Sequence, residues 1–141
     1  MSGIAQLYHT ITASHSREQL ETKVKQYLQS FPKRDLDARQ RLFAEDAFFA
    51  DPANSPGFDG IANIRAFWEM IEASGAELTP EIHQLVVCGD SVMADFTMHM
   101  ASPEETQSLH VREVFDFNPE GKIQTLTAWW DLGCLTRKPD T

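Results

Sequence analysis

The stretch SVMADFTMHM (Ser91 to Met100) sets apolar Val92, Ala94, Phe96, Met98 and Met100 in alternation with Ser91, Asp95, Thr97 and His99. A period of two marks a strand that lays one face on a core. The same period returns in LHVREVFDF (Leu109 to Phe117), where Leu109, Val111, Glu113, Phe115 and Phe117 oppose His110, Arg112, Val114 and Asp116. Gly89 and Asp90 turn the chain into the first run from a preceding strand, about Glu81 to Cys88. Asn118, Pro119, Glu120 and Gly121 turn the second run into a last strand from Ile123 to about Leu132.

Upstream of these strands the period is helical. Ser16 with Gln19 is a capping-box pattern, followed by Leu20, Val24, Tyr27, Leu28 and Phe31 at helical spacing, and Pro32 closes the helix. Asp35 caps a short second helix carrying Leu36, Leu42 and Phe43, and Ala47 to Asp51 reads as a brief strand stopped by Pro52. After a loop from Asn54 to Gly60, Ile61, Ile64, Phe67, Trp68 and Ile71 form the apolar stripe of a third helix ending near Gly75. Three helices followed by antiparallel strands predict an α+β domain whose curved sheet closes over the helices and leaves a pocket at the open end. That domain spans residues 16–135, after an N-terminal extension (1–15) and before a frayed tail (136–141).

The bulk properties narrow the function. The chain has 141 residues, 42% apolar and 23% charged, enough for one core without staples. With 21 acidic against 12 basic residues the net charge is −9, which disfavours nucleic acid and anionic membranes as partners. Cys88 and Cys134 form no CxxC pair and read as packing residues in a reducing compartment. The start of the chain lacks the charged and apolar regions of a signal peptide, and no stretch approaches the ~18 apolar residues of a membrane span, so a cytoplasmic, soluble protein is expected. His9, His15, His83, His99 and His110 show no HxxxH spacing and join no Cys/His set, so no metal site is expected. Neither a phosphate-cradling glycine loop nor a GxSxG elbow is present. Met93, Met98, Met100, Trp129 and Trp130 read as core or as the wall of an apolar pocket.

Three residues break the pattern in a chemically useful way. Glu113 occupies a core-facing position between Val111 and Phe115, where a carboxylate either finds a counter-charge or takes up a proton and becomes a donor. Pairing with Arg112, Arg65 or a backbone amide, or a slip of register, would make it merely structural. Asp51, at a strand end before Pro52, suits a general base at a pocket mouth, and equally a turn-initiating Asp-Pro pair. Tyr27 lies on an apolar helix stripe, as core or as a hydroxyl donor.

Together with LFAEDAFFADP (Leu42 to Pro52), SPGFDGIANIRAFW (Ser55 to Trp68) and VFDFNPEGKI (Val114 to Ile123), these residues make the chain resemble the ketosteroid isomerase family. That family sits among the cone-shaped domains that include nuclear transport factor 2 and the SnoaL-like polyketide cyclases, and the match runs from about Ser16 to Trp130. The resemblance implies a steroid Δ-isomerase-like reaction on an apolar ketone, with Asp51 as base and Tyr27, 24 residues earlier, as oxyanion donor. Glu113 takes the place of the second donor, the carboxylic acid for whose neutral state the family is known. The family usually has Asp there, and the extra methylene of Glu moves the acid by about 1.5 Å. Trp68 stands where the family has a Tyr supporting the oxyanion Tyr, Phe43 where some members have another, and Trp130 resembles an aromatic packed near the base. Phe43, Trp68, Phe96, Val111 and Trp130 are therefore the expected substrate-binding residues. Such chemistry requires no cofactor. A SnoaL-like cyclase, dehydratase or epoxide-opening enzyme, or a non-catalytic binding or dimerisation module, could use the same cone. A small apolar ligand and a homodimer are the implied partners, with His99, Arg112, Val114, Thr127 and Trp129 on the outer face of the sheet.

Overall fold

Ser16 opens the first long helix as its residue type predicts: Gln19 N–H donates to Ser16 Oγ at 3.1 Å, and Ser16 N–H donates to Gln19 Oε1 at 3.0 Å. Two otherwise unpaired donors are satisfied reciprocally, a cap of about 1 kcal/mol. In the computed structural model, which describes residues 3–139, this helix is α2 (Arg17–Lys33), preceded by a one-turn helix α1 (Gly3–Tyr8) in the N-terminal extension. Helix α2 runs through Pro32 and stops at Arg34, whose left-handed φ of 53° ends the ladder. A five-residue α3 (Leu36–Gln40) follows, capped by Asp35, and α4 (Ile61–Ala73) lies beyond the first strands. Leu20, Val24, Tyr27 and Leu28 of α2 and Ile64 and Trp68 of α4 are buried, which is the stripe expected from their spacing.

These helices pack on a curled sheet of seven strands. Its members are β1 (Phe43–Ala50), β2 (Phe58–Asp59), β3 (Glu77–Cys88), β4 (Ser91–Ala101), β5 (Glu105–Phe117), β6 (Ile123–Trp129) and β7 (Leu135–Pro139), ordered β2-β1-β6-β5-β4-β3 with β7 on β5. Among the described residues only β1 and β6 pair in parallel; the other pairs are antiparallel. This is the α+β cone of the nuclear transport factor 2-like fold, with three long or capped helices on a mainly antiparallel sheet and the short α1 besides.

The alternation sorts the two faces of β4 and β5 as predicted: Val92, Ala94, Phe96, Val111, Glu113, Phe115 and Phe117 are buried, while Arg112 is exposed. Val114, Thr127 and Trp129 likewise occupy the face opposite the core, and Trp129 is 60% exposed. Met93 shares that outer face and is not core.

Several boundaries differ from expectation. Leu42 and Phe43 do not belong to the second short helix, because Leu42 C=O accepts from Ile123 N–H and Phe43 opens β1 in register with Ile123. Strand β3 begins at Glu77 and includes Pro80, tolerable because β3 is the sheet's edge and half its N–H groups face no neighbour. The last strand stops at Trp129, and a 3-10 turn at Leu132–Cys134, capped by Asp131, reverses the chain. Residues 136–139 are therefore not a frayed tail: they belong to β7, which pairs Leu135 with Leu109 and Pro139 with Glu105. Asp140 and Thr141 lie outside the described residues. Cys88 is exposed at the end of β3 and packs no core; Cys134 is partly buried. Among the described residues no helix is long and apolar enough to cross a membrane.

Candidate functional site

A cavity of about 170 Å³ opens between α2, α4 and the concave face of the sheet. Its wall is apolar apart from Tyr27, Asp51, Glu113 and the indole N–H groups of Trp68 and Trp130. Phe96 and Val111 line it as expected. Phe43 does not: it sits behind the wall, its ring 5.7 Å from that of Tyr27 and 5.2 Å from that of Trp68, so it supports these side chains instead of meeting a ligand. Met98 and Met100 are wall, whereas Trp129 points away.

Local sequence explains how each polar group arrives there. Tyr27 lies on the buried stripe of α2, one turn before Phe31, whose ring meets it edge-on at 5.3 Å. Asp51 follows the last residue of β1, and Trp130 follows the last residue of β6, the parallel neighbour of β1. Trp130 Nε1 donates to Asp51 Oδ1 at 2.6 Å. Glu113 stands in the middle of β5, directly across from Ala94 on β4 and Ala128 on β6. Two alanines beside a long acid leave the space into which its carboxyl projects.

Glu113 is 4% exposed, and its Oε1 has no hydrogen-bond partner. Among the described residues no arginine is paired with it. Arg65 is held by Asp37 at 2.7 Å and Glu69 at 3.1 Å, and Arg112 turns to Asp95 at 3.6 Å. Burial pushes the Glu113 carboxyl well above the usual carboxylate range, and the charge of Asp51 pushes it further. Asp51 is also raised by burial, but the Trp130 N–H opposes this by stabilising its anion. Two carboxyls in one cavity thus differ in solvation and partners, the arrangement that keeps one protonated and the other ionised. Burial, then Glu113, raises the Tyr27 phenol well above its ordinary value; Arg39 opposes this, Asp51 adds to the rise, and the nearby Trp68 N–H again favours the phenolate. Trp68 Nε1 makes no hydrogen bond of standard geometry. The Trp68 N–H therefore acts on the phenol through a weak contact and not through a well-aligned hydrogen bond.

Arg39 is a feature that sequence reading missed. It is 3% exposed, and its guanidinium lies 3.7 Å from the centre of the Phe31 ring and 5.0 Å from that of Trp68, behind the cavity wall. Its Nε donates to Ser30 Oγ at 2.8 Å. The result is a positive charge in the second layer around Tyr27, placed where it favours negative charge on the phenol oxygen. Only a polar residue in a one-turn helix is visible in the sequence, since the ring stack that buries it is tertiary.

Comparison with known proteins agrees with this fold. SalBIII, described as an epoxide hydrolase/cyclase-like enzyme with a role in pyran ring formation in the polyether salinomycin, is 25% identical over 85% of this chain and 96% of that one, with a TM-score of 0.77. RV0760c from Mycobacterium tuberculosis is 16% identical over 87% and 98% of the two chains, TM-score 0.79, and its complex with estradiol-17beta-hemisuccinate superposes at 0.75 with 16% identity over 84% and 98%. At that identity RV0760c attests the fold alone. The SnoaL-like domain matches residues 24–126, most of the chain, including Tyr27, Asp51, Trp68 and Glu113 but not Trp130, and the protein belongs to that family within the nuclear transport factor 2-like superfamily.

Proposed function

We propose that the protein is a cofactor-independent acid–base enzyme that moves a proton on a small apolar ketone. Asp51 removes an α-proton, Tyr27 and neutral Glu113 donate hydrogen bonds to the dienolate oxygen, and Asp51 returns the proton at another carbon, as in a steroid Δ-isomerase. The observation that carries this reading is Glu113: buried, without a counter-charge, one oxygen unpaired, and in the same cavity as Asp51. A purely structural role does not account for such an acid, because an apolar residue there would be more stable. The volume of about 170 Å³ resembles cavities of roughly 150 Å³ that hold one benzene ring. One ring of a flat ketone therefore fits within, and the rest of a larger substrate lies toward solvent.

The 25% identity to SalBIII favours a second reading of the same groups. Protonated Glu113 gives its proton to an epoxide oxygen as the C–O bond breaks, while Asp51 takes the proton of the attacking hydroxyl as the new C–O bond forms. Two assays separate the readings: enone absorbance on a Δ5-3-ketosteroid and on a monocyclic β,γ-unsaturated ketone, and ring closure of a hydroxy-epoxide. Turnover of a ketone supports the isomerase. Turnover of the epoxide alone moves the assignment to ring formation, and turnover of neither overturns both.

The outer face of the sheet, with Trp129 60% exposed beside Val114 and Thr127, is the surface for a homodimer in this reading. Light scattering at micromolar concentration should give twice the chain mass; a monomer there removes the dimer from the proposal.

A further inference from the structure

On the convex side of the sheet, away from the cavity, three neighbouring strands bring His83 of β3, Asp95 of β4 and His110 of β5 together, with one ligand atom of each lying within 4.8 Å of the others. We infer that these three side chains form a binding site for a divalent transition-metal ion of the Zn²⁺ type. Linear spacing hides the set, because 12 residues separate His83 from Asp95 and 15 separate Asp95 from His110; strand register assembles it. His110 stands directly across from Thr97, and Asp95 is two residues before Thr97 on the same face. His83 occupies an irregularity in the β3–β4 ladder between Ile82 and Gln84. A bulge of that kind re-aims a side chain, and here the ring meets that of His110 edge-on at 5.5 Å.

The donor chemistry suits such an ion. Two imidazoles are borderline ligands that favour zinc, nickel or copper over magnesium or calcium, a carboxylate is a common third ligand of zinc, and three protein ligands leave a position for water. Around a tetrahedral zinc, donor atoms sit about 3.3 Å apart, so atoms already within 4.8 Å of one another need to close by no more than about 1.5 Å. His110 Nε2 is already 2.6 Å from Asp95 Oδ1, a contact that a bound metal would replace by taking both atoms as ligands. The other partners orient the set: His83 Nε2 meets Thr97 Oγ1 at 2.8 Å, and Arg112 Nε lies 3.6 Å from Asp95 Oδ2. Arg112 is also a cation pressed against this cluster, and it opposes a bound metal.

Phe96 and Val111, which wall the cavity, are the chain neighbours of Asp95 and His110. A metal here would tie β3, β4 and β5 together behind that wall.

Calorimetric titration of the tag-free full chain with ZnCl₂, after removal of metal with a chelator, tests the site. One ion per chain with a dissociation constant of about 10 μM or tighter is expected, together with a rise of a few degrees in melting temperature at saturating zinc. His83→Ala and His110→Ala should each weaken binding at least about tenfold. His99→Ala should leave it unchanged, although His99 lies on the same strand face with Glu81 and Ser108 as partners. Arg112→Gln should tighten it by removing the like charge. These substitutions are at exposed or half-exposed positions, and melting in the absence of zinc shows whether each variant is folded. No binding below about 100 μM, or binding that survives both His83→Ala and His110→Ala, overturns the inference, and neither result touches the cavity chemistry.

Discussion

Glu113→Leu is expected to stabilise the protein by about 1–3 kcal/mol while lowering turnover about 10²- to 10³-fold. The two signs have one cause. At 4% exposure the Glu113 carboxyl is largely withdrawn from solvent and its Oε1 has gained no partner, so an apolar side chain of similar size removes a desolvation penalty. The same carboxyl, held protonated, is proposed as the hydrogen-bond donor on which the reaction depends. The pH dependence carries a further signature. Glu113 titrates well above its unfolded value, so its folded form keeps its proton where the unfolded form has already lost it. Stability is therefore unpenalised below the unfolded value, near pH 4.3, and declines as pH rises toward the folded value. Asp51, also raised, contributes in the same sense. Urea unfolding at pH 4 and pH 8 should show wild type losing stability across that interval and Glu113→Leu losing distinctly less. Glu113→Gln keeps an N–H donor and should fall only about tenfold in turnover. A Leu variant that is less stable than wild type, or as active, would show that Glu113 serves the fold and not the reaction.

What could be read from the sequence and what could not divides along a physical line. Alternation over Val92 to Met100 and Leu109 to Phe117 reports which way side chains face, and that fact alone exposes Glu113 as an acid on an apolar face. Asp51 and Tyr27 are legible for a related reason, since Pro52 ends the strand at the acid and the stripe of α2 fixes the face of the phenol. Quantities that depend on pairing between distant segments are not legible. Arg39 reads as a solvated residue of a polar turn until the rings of Phe31 and Trp68 close over it. Strand β7 is held by backbone pairing to β5, to which its polar Thr136, Arg137 and Lys138 give no periodic clue. The family resemblance points Phe43 at the cavity, yet its position opening β1 puts it behind Tyr27 and Trp68. The triad of His83, Asp95 and His110 exists only because three strands share one register.

Asp51→Asn should lower turnover about 10²- to 10⁴-fold while leaving the melting temperature unchanged or slightly higher. The amide keeps the shape of the carboxylate and an oxygen to accept the Trp130 N–H, which donates to Asp51 at 2.6 Å, so packing survives. What disappears is the only ionised carboxylate proposed for the cavity. Because burial raises Asp51 above its usual value, the acid limb of the wild-type kcat/KM profile should fall at a higher pH than an exposed aspartate would give. The residual activity of Asp51→Asn should lack that limb. Trp130→Phe provides the converse test: it deletes the N–H that favours the anion, so the limb should shift to still higher pH while the plateau stays within a few-fold, a more basic carboxylate being the better proton acceptor once ionised. Both proposed reactions use Asp51 as the base, so the loss should appear with whichever substrate turns over. An Asp51→Asn protein keeping more than about a tenth of wild-type turnover, or a limb unmoved by Trp130→Phe, would mean that the acid and the carboxylate share a cavity without sharing the proton transfer.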